Sequence, residues 1–146
     1  MTVNITDFTT YVRNVAGMNT TVLPANDPGI LAAYNMAIDL TPDVLLDISD
    51  LQYTTAVYNY GVSYLINWQN DQTGQTYFTN LRQTLGINSF TGGVVDSSGD
   101  QGTNMHMDMA DFIKNLNMGS LQLLKDPFGR AFLAACQRIG TFWDIS

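Results

Sequence analysis

The sequence predicts a mainly α-helical single domain: a bundle of about four or five helices interrupted by one long Gly/Ser/Asp-rich arm that can pair as a β-hairpin. Three observations lead there. Apolar residues recur at helical spacing over most of the chain. Asp-Pro and Thr-Pro-Asp words punctuate those stretches as helix starts. Residues 91–109, TGGVVDSSGDQGTNMHMDM, carry Gly92, Gly93, Gly99 and Gly102 and lack helical periodicity.

Ile5, Phe8, Val12 and Val15 form the first apolar stripe, with Thr6 and Asp7 as cap and first-turn residues and Gly17 as the stop. Residues 17–26 read as a loop. Asp27-Pro28 opens the second helix, whose stripe is Ile30, Leu31, Tyr34 and Ile38. Thr41-Pro42-Asp43 starts a short helical segment with Val44, Leu45 and Leu46.

Ser49 or Asp50 caps the longest periodic segment. Leu51, Thr54, Tyr58, Gly61, Leu65 and Trp68 step along one continuous face, broadened by Tyr53, Val57, Tyr60 and Tyr64. A helix this apolar around its girth is expected at the centre of the bundle. Gly61 costs about 1 kcal/mol against Ala in a helix interior, so a close neighbour is expected there. Residues 70–74 form a turn, and Tyr77, Phe78, Leu81 and Leu85 mark an antiparallel partner helix ended by Gly86.

The arm follows. Loops longer than about 12–15 residues in a compact domain are usually functional or disordered. Its hairpin would pair 91–95 with 104–107. Beyond it, 109–116 is a helix candidate and Ser120 caps a short turn. Asp126-Pro127 opens the last helix, lined by Phe128, Phe132, Ala135 and Ile139 and stopped by Gly140. Phe142 and Trp143 form a short tail.

The 146 residues fit one core, with 45% apolar residues to fill it. Charged residues are only 13% and net charge is −7; all thirteen acidic residues are Asp. A weakly charged surface with 11% aromatics suits burial in an assembly, or equally a surface simply rich in Asn, Thr and Gln. The six Lys/Arg are scattered, which argues against a nucleic-acid footprint. Cys136 is the only cysteine, so no intrachain disulfide forms. The start MTVNITDF lacks the basic and apolar regions of a secretion leader, and no apolar run is long enough to span a membrane. No leader and no membrane contact are expected.

Candidate chemistry fails at required positions. Asp96, Ser98 and Asp100 match the first half of a calcium loop, but Gln101 stands where Gly is needed and Met107 where a bidentate Glu belongs. Met105-His106-Met107-Asp108-Met109 offers soft ligands, yet strand alternation separates the thioethers from the imidazole. Cys136 sits in an Ala-rich helix, where a small buried residue is expected rather than a nucleophile paired with His106. Gly92-Gly93 lacks the Lys-Ser/Thr of a phosphate loop. No metal, cofactor or catalytic residue is expected, and the protein is read as a non-enzyme.

The Tyr-rich central helix, the 93–104 arm and the word Asp126-Pro127-Phe128-Gly129-Arg130 within the C-terminal helix resemble the small head–tail connector proteins of tailed bacteriophages. These are also called head-completion or portal-adaptor proteins. The resemblance covers 50–143. It implies a structural virion protein forming a homo-oligomeric ring of about twelve copies. The ring would sit at the neck between portal and tail proteins, after assembly in the host cytoplasm. Packaged DNA would pass through it without specific binding, and acidic walls would keep phosphate from sticking. Subunit and partner contacts are expected at Gly93, Asp96, Ser97, Ser98, Asp100, Asn104, Met105 and Met107 of the arm, at Arg130, and at the Phe142-Trp143 tail. A tail-terminator or neck-gating subunit is a related alternative. A small cytosolic helical enzyme or binding domain, with its ligand beside Tyr58, Tyr60, Tyr64 and Trp68, is the alternative of another class.

Overall fold

A computed structural model of the chain describes residues 2–88, 97–100, 103–106 and 122–143, with backbone alone for the strands and for 140–143. The protein is mainly helical. Among the described residues there are six helices: α1 (Ile5–Asn14), α2 (Pro28–Leu40), α3 (Val44–Ile48), α4 (Asp50–Trp68), α5 (Tyr77–Thr84) and α6 (Pro127–Trp143). A two-stranded antiparallel ribbon, β1 (Ser97–Asp100) and β2 (Thr103–His106), stands between α5 and α6 in the chain, with Ser97 opposite His106 and Asp100 opposite Thr103.

α4 is the axle of the bundle. The other five helices all contact it, α2 and α6 most extensively. Its buried set runs from Tyr53 to Ile66 and includes positions on every side, among them Ala56, Val57, Val62 and Leu65. This is why its apolar pattern has no single stripe. The face expected from the 3,4 spacing is buried at Thr54, Tyr58 and Leu65 but open at its ends, where Leu51 and Trp68 are 61% and 63% exposed.

Gly61 is the site of closest approach. A methyl group there would stand 2.6 Å from the Phe8 ring of α1. The ring lies 5.7 Å from Tyr58 and 5.8 Å from Tyr34, centroid to centroid, so one aromatic side chain joins α1, α2 and α4. Tyr11 adds a second tie, donating its hydroxyl to Asn59 Oδ1 at 2.8 Å.

Helix ends follow local chemistry where a side chain can reach its own first turn. Asp27 accepts from Gly29 N at 2.8 Å, with Pro28 at the first helical position. It also receives Gln72 Nε2 at 2.7 Å and Gln69 Nε2 at 3.2 Å, which ties the start of α2 to the end of α4. Ser49, not Asp50, caps α4. Three readings need correction. Asn4, rather than Thr6, caps α1 by accepting from Asp7 N at 2.8 Å, and Asp7 is the acidic residue of the first turn as expected. Asp43, which the Thr41-Pro42-Asp43 word offers as a cap, sits in helical conformation and makes no cap hydrogen bond, because the winding already begins at Pro42, whose carbonyl accepts from Leu45 N. Gly140 does not stop α6, which continues to Trp143, so Phe142 and Trp143 are its last turn and not a tail. A stop of this kind needs the left-handed conformation that Gly17 (φ +72°) and Gly86 (φ +67°) adopt at the ends of α1 and α5.

α5 starts from a distance. Asp71 accepts from Phe78 N at 2.7 Å, Thr79 N at 3.1 Å and Thr79 Oγ1 at 2.5 Å. Partial burial acts to raise the Asp71 pKa. The hydrogen bonds from the Thr79 hydroxyl and the Phe78 and Thr79 amides, with Arg82 nearby, outweigh it and hold the carboxyl below its usual value.

Two outcomes follow. Helix propensity alone would make Gly61→Ala stabilising by about 1 kcal/mol. The Phe8 overlap reverses the sign, to a loss of about 1–3 kcal/mol in urea denaturation; a gain would show that Phe8 moves aside without cost. For Asp71, a depressed folded pKa means its contribution is present above the unfolded value and is lost as pH falls through the folded one. The stability gap between Asp71→Asn and the parent, measured across an acid titration, closes below that point; a gap that persists there would refute the assignment.

Candidate functional site

Among the described residues, a concavity lies where α2, α4 and α6 meet. It is a groove of about 490 Å³. α4 contributes Tyr60, Tyr64 and Trp68, α2 contributes Met36 and Leu40, and α6 contributes Phe132 and Leu133. Ser63 and Asn67 bring polar groups from α4, and Gln122 and Leu123 close one end. The spacing 60, 64, 68 is one helical line on α4, so the aromatic wall is a property of local sequence. Tyr60 meets Phe132 edge-on at 4.9 Å. Trp68, Leu40 and Met36 form an exposed rim.

Beside this groove the side chain of Asp126 is completely buried. Its Oδ1 accepts from Gly129 N at 2.7 Å, capping α6. Its Oδ2 accepts from Ser63 Oγ at 2.6 Å and Asn67 Nδ2 at 3.3 Å. The charge is met by neutral donors and by the positive end of the α6 dipole. Asn67 also donates to Ser63 O at 2.8 Å, which fixes the orientation of its amide. The opposite atom, Asn67 Oδ1, is buried and accepts nothing from the described residues.

The word 126–130 now has a physical account. Asp126 caps, and Pro127 takes the first helical position. Gly129 leaves room for the Leu123 backbone, where any side chain would collide. Arg130 Nη1 donates to Leu124 O at 3.2 Å. The whole word seats one helix on the turn that precedes it.

Burial pushes up the Tyr60 hydroxyl, helped by Tyr64. Burial pushes the Cys136 thiol up to about 11, so its reactive thiolate is scarce at neutral pH. Among the described residues no three of His, Cys, Asp and Glu converge on one point. The groove offers contact area, aromatic faces and a few fixed dipoles.

The expected contact residues do not gather there. Ser97, Ser98 and Asp100 lie on β1 and Asn104 and Met105 on β2, with Ser98 opposite Met105. Gly93, Asp96 and Met107 lie outside the described residues, as does the helix expected over 109–116. The expected register needs correction: residues 104–106 pair with 97–99 across a tighter turn, not with 91–95. Arg130 is exposed on the first turn of α6. Of the four aromatic residues expected around a ligand, Tyr60, Tyr64 and Trp68 line the groove. Tyr58 points away, into the Phe8 and Tyr11 cluster. Met36 and Leu40 were not anticipated; their signal was an α2 that is apolar on more faces than its one buried stripe requires.

Neither a family model, nor a curated protein, nor a solved structure matches the chain.

Asp126→Ala removes the α6 cap and leaves the Ser63 hydroxyl and Asn67 amide without their acceptor. The expected loss is about 3 kcal/mol by chemical denaturation, with α4 and α6 separating together. A loss under about 1 kcal/mol would mean that the carboxylate is not what holds α6 in place.

Proposed function

We propose that this chain is a structural subunit of the head–tail connector of a tailed bacteriophage, built to be completed by neighbours. One observation carries the need for neighbours. The outward surface of α2 and α3 is apolar: Leu31, Ile38, Leu40, Val44, Leu46 and Ile48 are each 37–54% exposed. Isolated exposed apolar residues are ordinary, but a run of them on successive helices is an interaction surface. The class of assembly rests on the resemblance over 50–143. The helical body and the ribbon of β1 and β2 agree with that class and do not single it out.

In this reading the ring places portal on one side and tail on the other, and the ribbon reaches toward one of them. Acidic side chains facing a channel would let DNA slide. A tail-terminator or neck-gating subunit would use the same surfaces in another layer. The rival reading, a small ligand-binding domain, is favoured by the groove of Tyr60, Tyr64 and Trp68, which has the size and apolar lining of a small-molecule site.

Electron cryo-microscopy of particles that carry this chain decides between them. The expected result is a ring of its density at the neck; particles whose neck lacks the chain would sink the connector reading. Deleting 93–104 is expected to keep the helical circular-dichroism signal and abolish incorporation into particles. Loss of the helical signal would show the arm to be part of the core. A purified monomer that retains a small molecule, released by Trp68→Asp, would establish the rival.

A further inference from the structure

The lining of the groove between α2, α4 and α6 selects among ligands. Tyr60, Tyr64 and Trp68 follow one another a turn apart on α4, and Phe132 joins them from α6. Tyr60 and Phe132 stand at 66° to each other, so the rings do not close the groove by stacking. Trp68 is 63% exposed, which leaves its ring available to a ligand. The faces of such rings carry partial negative charge.

The formal charge beside the groove has the same sign. Ser63 and Asn67 line the groove, and both donate to Oδ2 of the buried Asp126, at 2.6 and 3.3 Å. A carboxylate therefore stands one side chain behind the wall. The α6 dipole offsets part of its charge, from the far side. Among the described residues no Lys, Arg or His lines the groove. Arg82, Lys125 and Arg130 donate instead to the backbone carbonyls of Ile66, Gly86 and Leu124. A cleft of one sign concentrates ions of the other, here in a chain of net charge −7.

We infer that this groove binds a small organic cation of the quaternary or methylated ammonium class over the rings of Tyr60, Tyr64 and Trp68. An anion would meet the Asp126 carboxylate, and a neutral ligand would gain nothing from it. A primary ammonium or a guanidinium needs hydrogen-bond acceptors, and both Asp126 oxygens already serve Ser63, Asn67 and Gly129. A methylated ammonium has little or nothing to donate, and an aromatic face attracts it directly. The groove, at about 490 Å³, has the size of a small-molecule site, so the source is a free ligand rather than a lipid headgroup or a modified side chain. The inference rests on reading this groove as a small-molecule site. It does not depend on the ring, since a subunit of an assembly carries a ligand as readily as a monomer does.

The test titrates the full chain calorimetrically with choline and with neohexyl alcohol, which has the same shape with carbon in place of the charged nitrogen. Choline is expected to bind at least ~10-fold more tightly. Trp68→Leu keeps an apolar side chain at an exposed position and is expected to shrink that preference to ~2-fold or less. Tyr64→Leu is expected to do the same from the next turn. Circular-dichroism melts, and continued binding of the alcohol, show that each variant is folded. Equal affinities in the parent would overturn the cation assignment while leaving the groove a small-molecule site. Binding of neither compound up to ~10 mM would remove that reading of the groove as well. A preference that survives both substitutions would overturn its placement over the rings. Tighter binding to phosphatidylcholine vesicles, or to a peptide bearing trimethyllysine, than to choline would overturn the free-ligand assignment. The connector reading is decided separately, at the particle neck.

Discussion

The structure depends first on a buried carboxylate. Asp126 lies fully inside the protein between α4 and α6, with Ser63, Asn67 and Gly129 as its donors. A carboxyl group in that position is tolerated only when both its oxygens are hydrogen-bonded, since burying a polar group without partners costs several kcal/mol. The arrangement therefore cannot be partly made. Ser63 and Asn67 are one turn apart on α4, so their donors converge only if α6 begins at one height on α4. Hydrophobic packing of Phe132 and Leu133 supplies the adhesion. The carboxylate supplies the register, and with it the positions of Tyr60 against Phe132 and of both grooves that flank α6.

The same logic runs through the charges. Cations are spent on carbonyls at chain reversals. Arg13 donates to Met18 O and Asn19 O after α1, Arg82 to Ile66 O and Gln69 O after α4, and Lys125 to Gly86 O and Ile87 O after α5. Helix C-termini expose unpaired carbonyls at the negative end of the dipole, so this placement satisfies two demands together. Asp27, Asp71 and Asp126 do the converse at amides. Asp39, Asp43 and Asp47 are the remainder on α2 and α3, where no helix start employs them as a cap. Among the described residues, these aspartates thus divide between helix starts and a surface set beside exposed apolar side chains.

What the sequence made legible was whatever is decided within about one helical turn. Asp27-Pro28 and Asp126-Pro127 were readable because cap and proline act on their own first turn. The centrality of α4 was readable because its apolar residues occur on all sides. Asp71 was not readable as a cap, since it serves amides seven and eight residues downstream across a turn. Asp43 looked like a cap and is not one, because the winding begins at Pro42 and leaves Asp43 already in helical conformation. Gly140 looked like a stop, but glycine permits the left-handed turn without requiring it. The aromatic groove was half legible. Tyr60, Tyr64 and Trp68 share a line on one helix, whereas Met36, Leu40 and Phe132 arrive from elements distant in the chain, and only tertiary packing brings them there.

An exposed face and a strong core are not in tension here. The core cluster reaches from Phe8 on α1 to Leu133 on α6, and Phe8 alone joins three helices. The outward Leu, Ile and Val of α2 and α3 stay 37–54% exposed, and helix propensity alone would be served as well by Ala or Gln. In the connector reading they are the contact surface of the subunit. A cover for that surface would have to give Asp39, Asp43 and Asp47 partners at its edge, because a purely apolar one would desolvate each carboxylate without compensation.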